Sequence, residues 1–295
     1  MPPRPRRRPP ITAAGVALLL ATIAVEAGGA RQDQGALRQG LAGVPGAQLF
    51  YYDSGGSGPA IVLLHAATGS VRAWEYQFGP LVAAGYRVVA YDRRGHGRTE
   101  VDPDGPLATA ADDLIALADA MGLDRFHLVG TAAGGIVAID AALAFPARLR
   151  SLVVANSLGG VTDPSYVELG QRLRPTEFSA LPPHLRELGP EYRAADPDGT
   201  ARWLELAGRS RAPGDAPPPQ PPKQRVTFAS LEGLRVPTLL LTGGADMYTP
   251  PAALRLFLAR IPGAASVVLP EVGHSAYWEQ PAAFNRAVLD FVARY

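Results

Sequence analysis

The sequence predicts an α/β fold, a mostly parallel doubly wound sheet with a helical cap inserted after the fifth core strand. Three observations predict it. Short runs that are apolar on both faces recur along the chain, as strands buried between two helical layers require. Helix-like segments ending near glycine or proline separate them. One stretch, residues 157–236, contains no such run.

Composition narrows the function classes. A length of 295 residues allows one large α/β domain or two small ones. With 28 basic and 27 acidic residues the chain is nearly neutral, which excludes nucleic-acid binding driven by bulk charge. Hydrophobic residues at 47% exclude a wholly disordered chain. There is no cysteine, hence no disulfide framework, thiolate metal site or cysteine nucleophile. Lys223 is the only lysine, and it sits in a proline-rich stretch, a poor place for a Schiff base.

Residues 1–10 hold four arginines and no acid, and residues 11–25 form an apolar or small run 15 long. Ala27, Gly28, Gly29 and Ala30 follow. Basic, apolar and small residues in that order read as a secretory signal peptide over residues 1–30. The apolar run is short against the roughly 20 residues of a membrane span, although an uncleaved anchor is the alternative. The expectation is an exported protein, periplasmic or secreted, whose mature chain starts near Arg31 and inserts in no membrane.

The elements follow in order. Residues 48–52 read as an edge strand. Residues 60–64 (AIVLL), 86–91 (YRVVAY), 126–130 (FHLVG), 152–155 (LVVA), 238–241 (TLLL) and 266–269 (SVVL) read as buried strands. Helices are expected over residues 73–84, 108–121, 135–145, 251–260 and 281–293. The core is thus assigned to residues 31–156 and 237–295, and the cap to residues 157–236. Short amphipathic pieces mark the cap around residues 166–174, 184–188 and 200–209, where Trp203, Leu204 and Leu206 need something to pack on. Residues 212–222 hold six prolines and read as an extended, mobile connection. A cap there sits over the C-terminal strand ends, where open α/β sheets bind ligands.

Leu128-Val129-Gly130-Thr131-Ala132-Ala133-Gly134-Gly135 follows a strand and opens a helix. It has the shape of a nucleophile elbow, whose small residues let neighbouring backbone pass close by. The elbow normally reads G-x-S-x-G; here Ala132 occupies the nucleophile position. Asp246 then follows one strand and His274 the last, which is the chain order elbow, acid, histidine. The elbow lacks phosphate-binding glycine spacing, so nucleotide binding is rejected. A flavodoxin-like or other Rossmann-type fold fits the late acid and histidine poorly.

Two further stretches agree. Leu64-His65-Ala66-Ala67-Thr68-Gly69 follows an early strand, and Asp92-Arg93-Arg94-Gly95-His96-Gly97-Arg98-Thr99 follows the next. With Gly273-His274-Ser275-Ala276-Tyr277-Trp278-Glu279-Gln280-Pro281 at the end, the chain from about Gln48 onward resembles the α/β-hydrolase superfamily. It looks most like capped members such as 3-oxoadipate enol-lactonases, cofactor-free haloperoxidases and C–C bond hydrolases. The resemblance implies His274 as general base, Asp246 as its orienting carboxylate, and the N–H groups of Ala67 and Ala133 as an oxyanion hole. It implies structural roles for His65 and His96. His127 and His184 read as structural from their places on a strand and in the cap. Trp74, Tyr248, Tyr277 and Trp278 are candidates to line a substrate pocket, with core packing the alternative for each. The implied partner is a small apolar carbonyl compound, with no metal or organic cofactor.

Ala132 departs from the family pattern, because a methyl group cannot attack a carbonyl. Thr131 leaves the elbow in another direction and Ser275 does not face it. Three explanations stay open: alanine as an inactivating replacement of serine, alanine as the working residue with His274 acting directly as base, or a binding relative without chemistry. Nothing in the sequence gives the oligomeric state.

Overall fold

The computed structural model describes residue 1 and residues 37–157, 159–174, 176–214 and 216–295. The expected signal segment lies outside the described residues, apart from Met1. The described residues from 37 onward fall within one compact unit.

Nine strands form the sheet: β1 (Arg38–Val44), β2 (Ala47–Asp53), β3 (Ala60–Leu64), β4 (Arg87–Tyr91), β5 (Glu100–Val101), β6 (Phe126–Thr131), β7 (Leu149–Ala155), β8 (Thr238–Gly243) and β9 (Ala265–Leu269). The spatial order is β1-β2-β4-β3-β6-β7-β8-β9, and β5 pairs with β2. The β1–β2, β2–β4 and β2–β5 pairs are antiparallel; from β4 to β9 every pair is parallel. This is the α/β-hydrolase sheet, with a helical segment inserted after β7. β3, β6 and β8 are buried at every position, as their unbroken apolar runs require. Sequence reasoning missed β1, half exposed and bearing Gly40 and Gly43, and the two-residue β5. The strand counted fifth in the sequence, residues 152–155, is β7, and the insert follows it as expected.

The helices are α1 (Phe78–Ala83), α2 (Ala110–Ala120), α3 (Ala133–Ala144), α4 (Pro164–Leu173), α5 (Pro183–Glu187), α6 (Pro190–Ala195), α7 (Pro197–Gly208), α8 (Phe228–Glu232), α9 (Pro251–Leu258), α10 (Ala276–Glu279) and α11 (Pro281–Val292). The single helix expected over residues 73–84 is instead a 3₁₀ turn at Val71–Trp74 followed by α1. Pro80 explains the split, because proline is tolerated only in a first helical turn.

Two apolar clusters cover the two faces of the sheet. One of them takes in Leu188, Trp203 and Leu206 from the insert, together with Trp74, Tyr277 and Trp278. The insert is thus welded to the core by buried apolar surface. The described residues of the proline-rich stretch are without helix or strand and hydrogen-bond to the core. The Ala212 N–H donates to Gly95 O at 3.1 Å, and Gln220 Nε2 to Asp113 Oδ2 at 2.7 Å. Farther on, the N–H groups of Lys223 and Gln224 donate to the Asp140 carboxylate at 2.8 and 2.7 Å. Buried carboxylates on α2 and α3 thus accept hydrogen bonds from this stretch and from the residues just after it.

Candidate active site

The elbow is formed where β6 meets α3. Ala132 lies at φ 50°, ψ −116°, a conformation an L-residue with a Cβ adopts only under constraint. The constraint is visible. The Ala132 N–H donates to Ala155 O at 2.9 Å, and Ser157 Oγ donates to Ala132 O at 2.7 Å. At Gly134 an added Cβ would run into the carbonyl oxygens of Leu64 and His65; at Gly130 it would meet the Gly134 carbonyl. Those two glycines let β3, β6 and α3 close around the turn.

Asp246 and His274 come together as their positions in sequence suggest. Asp246 follows β8 and is 2% exposed; His274 follows β9 and is 7% exposed. Nδ1 of His274 lies 2.9 and 3.0 Å from the two carboxylate oxygens. A carboxylate only accepts, so Nδ1 carries the proton and Nε2 is left for the cavity. Asp246 also accepts from Asn156 Nδ2 at 2.9 Å and from the N–H groups of Tyr248 (2.8 Å) and Thr249 (2.9 Å). Burial alone would raise the Asp246 pKa. The neighbouring His274, Asn156 and Thr249 outweigh it and hold the carboxyl below its ordinary range. For His274, burial pulls downward, but Asp246, Glu187 and Glu279 together push the imidazole above its ordinary 6.5.

His274 lines a cavity of about 230 Å³, with Asp246 buried behind it. Ala132, Ala133, Ala66, Ala67 and Ile136 make its apolar wall. Ala133 is the first residue of α3, where no earlier helical carbonyl reaches its N–H. With Ala67 opposite, two backbone donors stand beside the elbow. Thr68 Oγ1, Asn156 Oδ1 and Thr249 Oγ1 are buried in the wall with no protein partner among the described residues. Tyr248 lies over the His274 ring, centroids 4.3 Å apart.

Other candidates go elsewhere. Trp74 and Tyr277 stack on each other at 5.1 Å, are 0% and 2% exposed, and line the core rather than this cavity. Both are large aromatics whose full burial in the core leaves no ring surface for the cavity. Trp278 is buried beside them. Thr131 and Ser275, each 1% exposed, are also absent from the cavity wall. His65 donates from Nδ1 to Ala66 O at 2.7 Å and accepts at Nε2 from the Arg93 N–H at 3.0 Å. Its ring therefore braces a turn as a neutral imidazole, and burial holds its pKa well down. His96 lies between Arg94 O and Ala67 O, and His127 against Ser151 Oγ; burial pushes each down to about 4.

Sequence reasoning missed Asn156 and Glu187. Asn156 sits at φ 48° just past β7, a place where a strand end and a left-handed-tolerant residue coincide. Glu187 closes α5, in the insert; its carbonyl accepts the His274 N–H at 2.8 Å, and it lines the cavity. No local pattern marks it, because only the packing of the insert brings it there.

Residues 61–287 match the family model described as "Alpha/beta hydrolase family". RutD of Variovorax paradoxus (strain S110), provisionally named a carbamate hydrolase, is 33% identical over 80% of this chain and 92% of its own. A 2-hydroxy-6-oxononadienedioate/2-hydroxy-6-oxononatrienedioate hydrolase of Paraburkholderia xenovorans (strain LB400) is 30% identical over 83% of this chain and 91% of its own. The solved enol-lactonase of Burkholderia xenovorans LB400 superposes with a TM-score of 0.68 at 23% identity, covering 86% of this chain and all of that one.

Proposed function

The chain belongs to the alpha/beta hydrolase family, and from that premise we propose that it hydrolyses a small, largely apolar ester or lactone with His274 as direct general base and no covalent intermediate. Its relatives are hydrolases of ester, lactone and C–C bonds. One observation carries the reading: His274, backed by Asp246, lines the same cavity as a strained elbow that ends in a methyl group.

The reaction balances without a nucleophilic side chain. Water attacks the substrate carbonyl carbon and gives its proton to His274 Nε2. The N–H groups of Ala67 and Ala133 hold the oxyanion. Asp246 keeps Nδ1 protonated and stabilises the imidazolium. The intermediate collapses, the bond to the leaving group breaks, and the leaving group takes the proton back. In serine-protease triads, loss of the serine costs about 10⁶ in rate, while about 10³–10⁴ over water survives from oxyanion hole and binding. Slow turnover is therefore expected. The orphaned Thr68 and Thr249 hydroxyls give the wall hydrogen-bonding capacity for a polar reactant.

The test uses purified protein and its Ala132→Ser and His274→Ala variants on aryl esters, lactones and β-diketones. Activity in the parent that vanishes in His274→Ala supports direct base catalysis. Activity confined to Ala132→Ser supports an inactivated serine hydrolase. No activity in any variant, with tight binding of an apolar ligand, supports a binding protein.

A further inference from the structure

Glu187 is 7% exposed, yet it lines the cavity opposite the alanine wall. Among the described residues no lysine or arginine lines that cavity. The nearby Arg186 donates its Nη1 to Tyr248 Oη at 3.3 Å and lies outside the wall. Asp246 is engaged by His274, Asn156 and the loop N–H groups and does not line the cavity, so Glu187 is the carboxylate a ligand meets; burial pushes its pKa up against the pull of His274, Arg186 and Tyr248. Nearby stand Asn156 Oδ1, an acceptor, and the Thr68 and Thr249 hydroxyls, which can accept as well as donate. The two backbone N–H donors are placed for a carbonyl oxygen. Among the described lining residues, the groups that can carry charge near neutral pH are the Glu187 carboxylate and His274, whose imidazole is already paired with Asp246.

We propose that Glu187 is a specificity-determining residue that receives an ammonium or N–H group on the substrate and turns away carboxylate-bearing acyl compounds. The inference rests on the reading that this cavity is the substrate site. A buried carboxylate gains most from a cationic or donating partner, and a like charge brought into the same small apolar space is repelled with little screening. A dienoate, such as the named substrates of several relatives, brings a carboxylate to a wall where, among the described residues, His274 is the one cationic group and is already paired with Asp246. An amino ester or an amide-bearing lactone meets acceptors instead. The cavity is smaller than the roughly 300–1,000 Å³ of drug-sized sites, which limits the substrate to about one ring or a short chain.

Calorimetric binding of benzylamine, benzamide and benzoate at neutral pH tests this, since the three share a ring and differ in charge. The full chain is expected to bind benzylamine at least about tenfold more tightly than benzoate, with benzamide between. Glu187→Gln is expected to shrink that preference to about threefold or less, and Glu187→Asp to keep it. Glu187→Met replaces the glutamine variant if that one fails to fold. Equal or reversed preference in the parent, a preference unchanged by Glu187→Gln, or no binding of any of the three overturns the proposal. Binding is read without turnover. An inactive parent that prefers the amine therefore removes only the hydrolytic reading, and an active parent without the preference removes only this one.

Discussion

Ala132 bears the clearest conflict between chemistry and backbone. A side chain at φ 50°, ψ −116° stores about 1–3 kcal/mol, whereas glycine adds about 0.5–1 kcal/mol of unfolded-state entropy. Strain wins, so Ala132→Gly is expected to raise stability by about 1 kcal/mol, seen as a higher denaturant midpoint at unchanged slope. His274 carries the pH dependence. A base must be neutral, and this imidazole is held above 6.5, so hydrolysis should rise with pH through a single ionisation above that value and level off. The stability sign is opposite: a raised imidazole pKa stabilises fully below 6.5, and that contribution fades as pH rises through the folded value. Asp246, held below 3.8, contributes above that value and is lost as pH falls through its folded pKa. A pH–rate profile compared with pH-dependent denaturation checks both. Asp246 and His274 were legible in sequence because each follows a strand that announces itself. Asn156 was not, since a polar residue after a buried strand looks like any loop start.

Among elements, the seam between insert and core turns on Glu279 of α10. Its carboxylate accepts from the N–H groups of Gly189 (2.8 Å), Gly273 (2.9 Å) and Ser275 (3.1 Å). One side chain thereby ties the start of α6 to the loop that carries His274. Each bond to a charged acceptor is worth about 1.5–3 kcal/mol, and their contributions overlap. Glu279→Ala should therefore cost about 3 kcal/mol in denaturation and raise KM, since Glu187 and His274 lean on the same loop. The parallel strands and their covering helices were readable from apolar runs alone. The seam was not: it is made by distant backbone groups meeting one carboxylate, and the short helices α6 and α8 have too few turns to show a period. Trp74 and Tyr277 were left between pocket and core for a related reason, because an aromatic beside a motif reads alike whether it faces a ligand or the core.

For the molecule as a whole, Leu188, Trp203 and Leu206 bind the insert into one of the two apolar clusters. Among the described residues no helix is long and apolar enough to cross a membrane. We propose that residues 1–30 direct export, on the basic, apolar and small order of that segment. Intact mass of the protein recovered from the producing cell's exterior or periplasm should then place the new N-terminus near Arg31. A full-length mass confined to the cytoplasm would count against it. The distortion at the elbow bears on the chain's evolution as well. Alanine and serine codons differ by a single base, and the bend, imidazole and paired amides already stand in place. A point mutation would supply a hydroxyl to a prepared scaffold, so selection on an ester as sole nutrient should return serine variants at position 132 before it reshapes any other part of the site.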